Sequence, residues 1–326
     1  MRSNILYVVS WRGLIAERHA RSVGVAIVKI DPDIVCVYFS RPAVLEDTRR
    51  YSQMMSTLSD DEVRRAERFH FEHDRRLFVA SRALVRRALS RYLNVEPAAW
   101  RFETNSYGQP HIVSPVEGKM LRFSASHTDG LVMCVVANNR DVGGDVERLR
   151  ACPLDVVDCF FAPVEARAIW ALSGKERLER FLTYWTLKES YVKARGLGFS
   201  IPPNRFAFHL NDYPFPRIEI DPALDRRASG WRFYFLRPTL THRASLCVYL
   251  PDQPMLCISQ FGFASDQAGL DREVFHATTN TTRQFGPYEQ VIGDIGDADW
   301  VDLRIHLETI PTRQTGANHS DYSVIM

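Results

Sequence analysis

Apolar residues recur along this chain with the periods of both helices and strands. The segment 34–40, IVCVYFS, is rich in β-branched and aromatic residues and predicts a strand after a weakly alternating N-terminal 30 residues. Ser59-Asp60-Asp61-Glu62 reads as a capping box, with a serine at the helix entry and a glutamate three positions on. From about 73 to 93, Leu77, Ala80, Leu84, Ala88 and Tyr92 share one helical face, and Arg75, Arg82 and Arg86 line another. SYGQPHI (106–112) predicts a turn feeding a strand, and LVMCVVAN (131–138) a buried strand. Asn138-Asn139-Arg140-Asp141 reads as a turn between two halves of similar size.

In the second half, Pro163 stands where a helix starts, and a helix over about 178–195 stops at Gly196. Strands are expected at 231–236 and 244–250. HTDGLVMCVVAN from 127 and HRASLCVYLPD from 242 share a faint pattern that hints at one duplicated fold unit. The organisation expected is an N-terminal extension (1–33), a first half (34–138), a second half (139–253) and a C-terminal extension (254–326). The last of these is less periodic and ends in a polar stretch expected to be disordered.

Composition narrows this picture. With 326 residues, 45% hydrophobic and 25% charged, the chain suits two globular units. A formal charge of +2 argues against a general nucleic-acid binder, although arginines concentrate over 64–91. Its six cysteines form no C-x-x-C pair and sit partly in apolar runs, so they read as reduced core thiols of a cytoplasmic protein. Ser10 and Arg12 break the first apolar run, and no window approaches the roughly 20 apolar residues of a membrane span.

Three clusters could carry chemistry. In Gly144-Asp145-Val146-Glu147, a strand would place both acids on one face, where a hard divalent cation relieves their repulsion; a solvated edge strand would read the same way. In Trp185-Thr186-Leu187-Lys188-Glu189-Ser190-Tyr191-Val192-Lys193, Glu189 and Lys193 share a helix face. They suit a third metal carboxylate beside a phosphate-seeking lysine, or a plain surface ion pair. Phe123-Ser124-Ala125-Ser126-His127 is expected in a loop, where Ser126 and a protonated His127 could bind phosphate oxygens.

In this order the clusters resemble the Sfp-type (group II) 4′-phosphopantetheinyl transferases, through Ser126-His127, the Gly143 to Glu147 run, the Trp185 to Lys193 helix and Gly196-Leu197-Gly198-Phe199-Ser200-Ile201-Pro202. The resemblance covers roughly 34–252 and implies an α+β fold of two similar halves related by a pseudo-twofold, with coenzyme A between them. It implies Mg²⁺ held by Asp145, Glu147 and Glu189, with Lys193, Ser126 and His127 contacting phosphates and Arg65 and Arg76 holding the 3′-phosphate. The implied reaction is of the holo-acyl-carrier-protein synthase type. A serine of an apo acyl or peptidyl carrier protein attacks the β-phosphate of coenzyme A, with Asp145, Glu189 and Lys193 as catalytic residues and 3′,5′-ADP released. Glu189 is the candidate base, directly or through a metal-bound water.

Two positions depart from the family pattern. Gly108-Gln109-Pro110 stands where a G-K-P run often lies near the adenosine, so Gln109 and Pro110 are placed at the cofactor without a basic contact; Glu62 stands where some members carry lysine. A monomer without nucleic-acid or membrane partners is expected. The alternatives are a non-catalytic coenzyme A or carrier-protein binding module, and a metal-dependent phosphoester hydrolase built on the same acids.

Overall fold

A computed structural model describes residues 34–150, 152–210 and 216–251, and four short strands between 262 and 306. The expectations for the N-terminal extension (1–33) and for the polar end of the chain lie outside the described residues. In chain order the elements are β1 (Ile34–Ser40), α1 (Thr48–Met55), α2 (Asp60–Glu67), α3 (Glu72–Ser90), β2 (Arg101–Thr104), β3 (Pro110–Ser114), β4 (Leu121–Thr128) and β5 (Leu131–Asn138). Then follow β6 (Val142–Arg148), α4 (Val157–Phe160), α5 (Pro163–Trp170), α6 (Gly174–Arg195), β7 (Phe206–His209), β8 (Arg217–Ile220), β9 (Trp231–Thr239) and β10 (His242–Tyr249). The chain closes with β11 (Gly262–Ser265), β12 (Asp271–Val274), β13 (Glu289–Val291) and β14 (Val301–His306).

These elements form an α+β fold of two halves. One sheet runs β12-β11-β14-β1-β5-β4 and carries α3 against β1, β4 and β5; the other runs β13-β9-β10-β6 and carries α6 against β6 and β10. Each half is thus a long helix on an antiparallel hairpin, β4–β5 or β9–β10. The two segments with the faint shared pattern each contain the second strand of such a hairpin, β5 and β10.

Alternation along the strands produces three cores. In β1, Cys36 and Tyr38 face the core under α1–α3, whereas Val35, Val37 and Phe39 face a middle core shared with Val146, Tyr234, Leu236 and Leu246 of the second sheet. A third core packs α4–α6 onto the opposite faces of β9 and β10 through Phe233 and Cys247. Burying the middle core is what joins the halves, by roughly 25 cal/mol for each Å² of apolar surface removed from water.

Several expectations shift. The helix expected from 178 begins at Gly174; its first turn, Gly-Lys-Glu-Arg, is polar, so the apolar rhythm starts only at Leu178. Cys36, Cys134 and Cys247 are buried as expected, but Cys152 is half-buried and Cys159 exposed. The C-terminal extension contributes strands to both sheets: β14 pairs with β1 antiparallel and β13 with β9 in parallel.

The C-terminal end of α6 is pinned by a buried carboxylate. Asp225 accepts from Tyr191 (2.7 Å), Trp231 Nε1 (2.9 Å) and the Arg227 backbone N–H (2.9 Å), and its ion pair with Arg195 spans 3.0 Å. Burial raises its pKa, but those donors and the Arg195 charge together outweigh burial and leave it below the usual value. A depressed folded pKa adds stability above the unfolded value, near 3.9, which is lost as pH falls through the folded one. Asp225→Asn is therefore expected to destabilise the protein at pH 7, with a deficit that narrows as pH drops below about 4. Denaturant unfolding across pH checks this; a deficit constant with pH would show that the carboxylate charge contributes nothing.

Candidate active site

The carboxylates meet where β6 passes beneath α6. A Cβ on Gly143 would lie 1.9 Å from the Ser190 carbonyl oxygen and 2.5 Å from the Ala194 nitrogen, so only glycine lets the strand and helix approach this closely. Gly144, on the other side, would drive a Cβ to 2.6 Å from Val135. The pair of glycines thus brings Asp145 of β6 against Lys193 of α6. Gly143→Ala is expected to cost about 3 kcal/mol, the upper end for overpacking, because backbone atoms must yield. Wild-type stability in denaturant unfolding would show that the contact relaxes freely.

Ser126 and His127 lie within β4 rather than in a loop. The hydroxyls of Ser124, Ser126 and Thr128, two residues apart, accept from the backbone N–H groups of Gly144, Val146 and Arg148 at 3.1–3.4 Å. This ladder seams one sheet to the other. Ser126 also donates to Asp145 Oδ1 (2.7 Å) and accepts from Lys193 Nζ (3.0 Å), so its hydroxyl is engaged within the protein. Lys193 Nζ bonds Asp145 Oδ1 at 2.6 Å.

Three carboxylates crowd this spot. Asp145 is 3% exposed and its Oδ2 is buried without a hydrogen-bond partner. Glu147 accepts from Thr128 (3.2 Å), and burial followed by the Asp145 charge raises its pKa. Glu189 is pushed up to about 7, first by burial and then by Asp145 and, less, Glu147, against Lys193. An orphaned buried oxygen and three mutually repelling carboxyls are the donor set a hard divalent cation satisfies. Among the described residues no three such side chains are already gathered around one point as a metal site, because Asp145 is turned to Lys193 and Glu147 to Thr128. The residues fit a cation, provided that Lys193 yields Asp145 to it.

The charges of Lys193 and Arg82 both reach His127 of β4. The pKa of His127 is lowered by desolvation and then by the charges of Lys193 and Arg82. Burial and those charges thus disfavour the imidazolium expected from sequence. A cavity of about 720 Å³ is lined by Arg65, Phe78, Arg82 and Pro110, with acids as well, Asp60, Asp61, Glu62 and Glu103. Arg65 and Arg82 both stand over the Phe78 ring, 5.1 and 5.5 Å from its centroid. The Arg82 pKa is lowered by burial, with Glu62 opposing and Arg65 and Arg86 adding to the fall. An anion entering this cavity would relieve that crowding.

Two residues expected at the cofactor are not in the cavity lining. Arg76 is paired with Glu72 on its own helix and with Glu46 at 3.5 Å, outside the cavity lining; its position, six residues from Arg82 and two from Phe78, turns it to a different face of α3. Gln109 donates through Nε2 to the Lys193 carbonyl at 2.8 Å and so holds the helix end. Arg82 and Phe78 line the cavity where Arg76 does not, and their i, i+4 spacing is visible in the sequence. Glu62 both caps α2 and pairs with Arg86 at 2.7 Å. Lys188, next to Glu189, points away into the third core, where Glu165 (2.7 Å) and the carbonyls of Pro203 and Phe206 hold it. Burial pulls that pair toward neutrality, the Glu165 carboxyl upward and the Lys188 ammonium down to about 8. Trp185 stacks between Phe160 and Phe181 as packing.

Residues 141–247 match the 4′-phosphopantetheinyl transferase superfamily and residues 46–139 match the N-terminal domain of 4′-phosphopantetheinyl transferases. The 4′-phosphopantetheinyl transferase HetI of Nostoc sp. is 33% identical over 187 residues, 57% of this chain and 76% of the relative. The 4′-phosphopantetheinyl transferase Sfp of Bacillus subtilis is 28% identical over 184 residues, 56% of this chain and 79% of the relative. The 4′-phosphopantetheinyl transferase ffp of Bacillus subtilis is 27% identical over 218 residues, covering 67% and 92%.

Proposed function

Because this chain belongs to the 4′-phosphopantetheinyl transferase family, of the Sfp type, we propose that it moves the phosphopantetheine arm of coenzyme A onto a serine of an apo acyl or peptidyl carrier protein. The finer assignment, a holo-acyl-carrier-protein synthase using Mg²⁺, belongs to the same proposal. The observation that supports it most is Asp145, with an unpartnered buried oxygen beside Lys193, near enough to Glu147 and Glu189 for its charge to raise the pKa of both. A non-catalytic binding module is not favoured, since all three acids are present and the relatives are transferases.

In the reaction the carrier serine Oγ forms a bond to the β-phosphorus, and the bond from that phosphorus to the bridging pyrophosphate oxygen breaks. The leaving 3′,5′-ADP takes that oxygen. Glu189 Oε accepts the serine proton. Asp145, Glu147 and Glu189 would hold Mg²⁺, which supplies charge neutralisation at the pyrophosphate when bound. Lys193 turns from Asp145 to the phosphates, His127 donates or accepts a hydrogen bond beside them, and Ser126 keeps Asp145 oriented. Arg65 and Arg82 receive the 3′-phosphate end in the cavity, where the planar guanidinium fork suits a phosphate. Among the described residues no helix is long and apolar enough to cross a membrane.

Mass spectrometry of apo acyl and peptidyl carrier proteins after incubation with the enzyme, coenzyme A and Mg²⁺ tests this reading. The expected result is a gain of one phosphopantetheine arm with 3′,5′-ADP in equal amount. Hydrolysis of coenzyme A without any gain on a carrier would mark a hydrolase instead.

A further inference from the structure

The last carbonyls of a helix have no partner inside it, and at the end of α6 side-chain amides from the other half supply two of them. Gly196 N–H closes the helix on the Val192 carbonyl. Gln109 Nε2 then donates to the Lys193 carbonyl at 2.8 Å, and Asn105 Nδ2 to the Gly196 carbonyl at 2.7 Å. Both donors sit on the turn joining β2 and β3. That turn is held by its own bonds: Asn105 Oδ1 accepts from the N–H groups of Tyr107 and Gln109, both at 2.9 Å, and Asn105 N–H donates to the Gln109 carbonyl at 2.9 Å. Gly108, at φ +83°, allows the chain to reverse there.

The fit to α6 is close. Gly196 has φ +66°, and a Cβ there would lie 1.9 Å from Gln109 Oε1. Lys193 is therefore held twice from the first half: its carbonyl by Gln109 and its ammonium by Ser126 of β4 at 3.0 Å. On the far side, Arg195 ties the same helix end to Asp225 within the second half.

We infer that Gln109 is a positioning residue for the transfer: it fixes the backbone of Lys193 across the junction of the two halves and so sets where the ammonium stands relative to Asp145 and the phosphates. Only the kinetic consequence rests on the proposed function; the clamp itself is a property of the fold and is read without substrate.

The test uses the full chain with Gln109→Met, which keeps the side chain's length and removes the donor, and Gln109→Lys, which keeps a donor at the negative end of the helix. Hydrogen exchange followed by mass spectrometry on peptides spanning 190–200 is expected to speed up roughly five- to tenfold in Gln109→Met, with peptides of α3 unchanged. Gln109→Lys is expected to exchange within about twofold of wild type. In carrier-protein transfer, Gln109→Met should lower kcat about ten- to a hundredfold, as a misplaced group does, while KM for coenzyme A stays within about threefold. Wild-type exchange in Gln109→Met would overturn the clamp, as would equal acceleration across the whole chain. A rise in KM for coenzyme A with kcat unchanged would instead make Gln109 a direct coenzyme A contact. Wild-type protein that modifies no carrier would defeat the proposed function and leave the exchange comparison decisive.

Discussion

Glu189→Gln is expected to fold like the wild-type protein and to transfer the phosphopantetheine arm ~10²–10⁴-fold more slowly, the range for losing a positioned base. Glutamine keeps the shape of the side chain on the α6 face it shares with Lys193, and removes both the charge and the proton acceptor. Folding should not suffer, and stability without metal is expected to rise slightly. Asp145 and Glu147 both push the Glu189 pKa upward, so one repelling charge disappears. Carrier-protein transfer assays alongside unfolding curves separate the two effects. A folded Glu189→Gln protein that transfers at nearly the wild-type rate would remove Glu189 from the site.

Lys193→Met carries the second large effect, and it appears without substrate. Asp145 is 3% exposed and its carboxylate is balanced by the Lys193 ammonium at 2.6 Å, with the Ser126 hydroxyl as its other bonded partner. Removing one partner of a buried pair costs about 3–5 kcal/mol, because the remaining charge stays buried and unpaired. In a chelator the variant should therefore be less stable by about 3 kcal/mol, the lower figure because Lys193 itself is partly exposed. Added Mg²⁺ should restore most of this, since a cation held by Asp145, Glu147 and Glu189 replaces the lost positive charge; wild type should gain less. Denaturant unfolding with and without Mg²⁺ decides the matter. Equal Mg²⁺ stabilisation of both proteins would mean that the cation does not bind at Asp145.

The acids were readable from sequence because their geometry is local. Alternation puts Asp145 and Glu147 on one strand face, and four-residue spacing puts Glu189 and Lys193 on one helix face. The same rule shows that Lys188, five residues before Lys193, projects about 140° away around the helix. Its burial against Glu165 was not readable, because that depends on carbonyls at Pro203 and Phe206 brought in by tertiary packing. Ser126 and His127 were found as a motif and misplaced in a loop. Polar residues in a strand usually mark its solvent face, yet here Ser124, Ser126 and Thr128 are satisfied by the backbone of β6, a partner 20 residues away. Gln109 lies at the limit of such reading. Its position in the turn is local, but its acceptor, the Lys193 carbonyl, lies 84 residues on. The pairing of β14 with β1 likewise spans most of the chain and leaves no local period to detect.

In the proposed function one cation site also holds the coenzyme A pyrophosphate, and titration calorimetry of Mg²⁺ into the protein with and without bound coenzyme A tests this most directly. The predicted result is that each ligand tightens the other by the same factor, on the order of 5- to 150-fold, as linkage requires. Asp145→Asn should abolish that coupling while leaving coenzyme A contacts in the Arg65 and Arg82 cavity in place. Mg²⁺ affinity indifferent to coenzyme A, or unchanged by Asp145→Asn, would contradict the account.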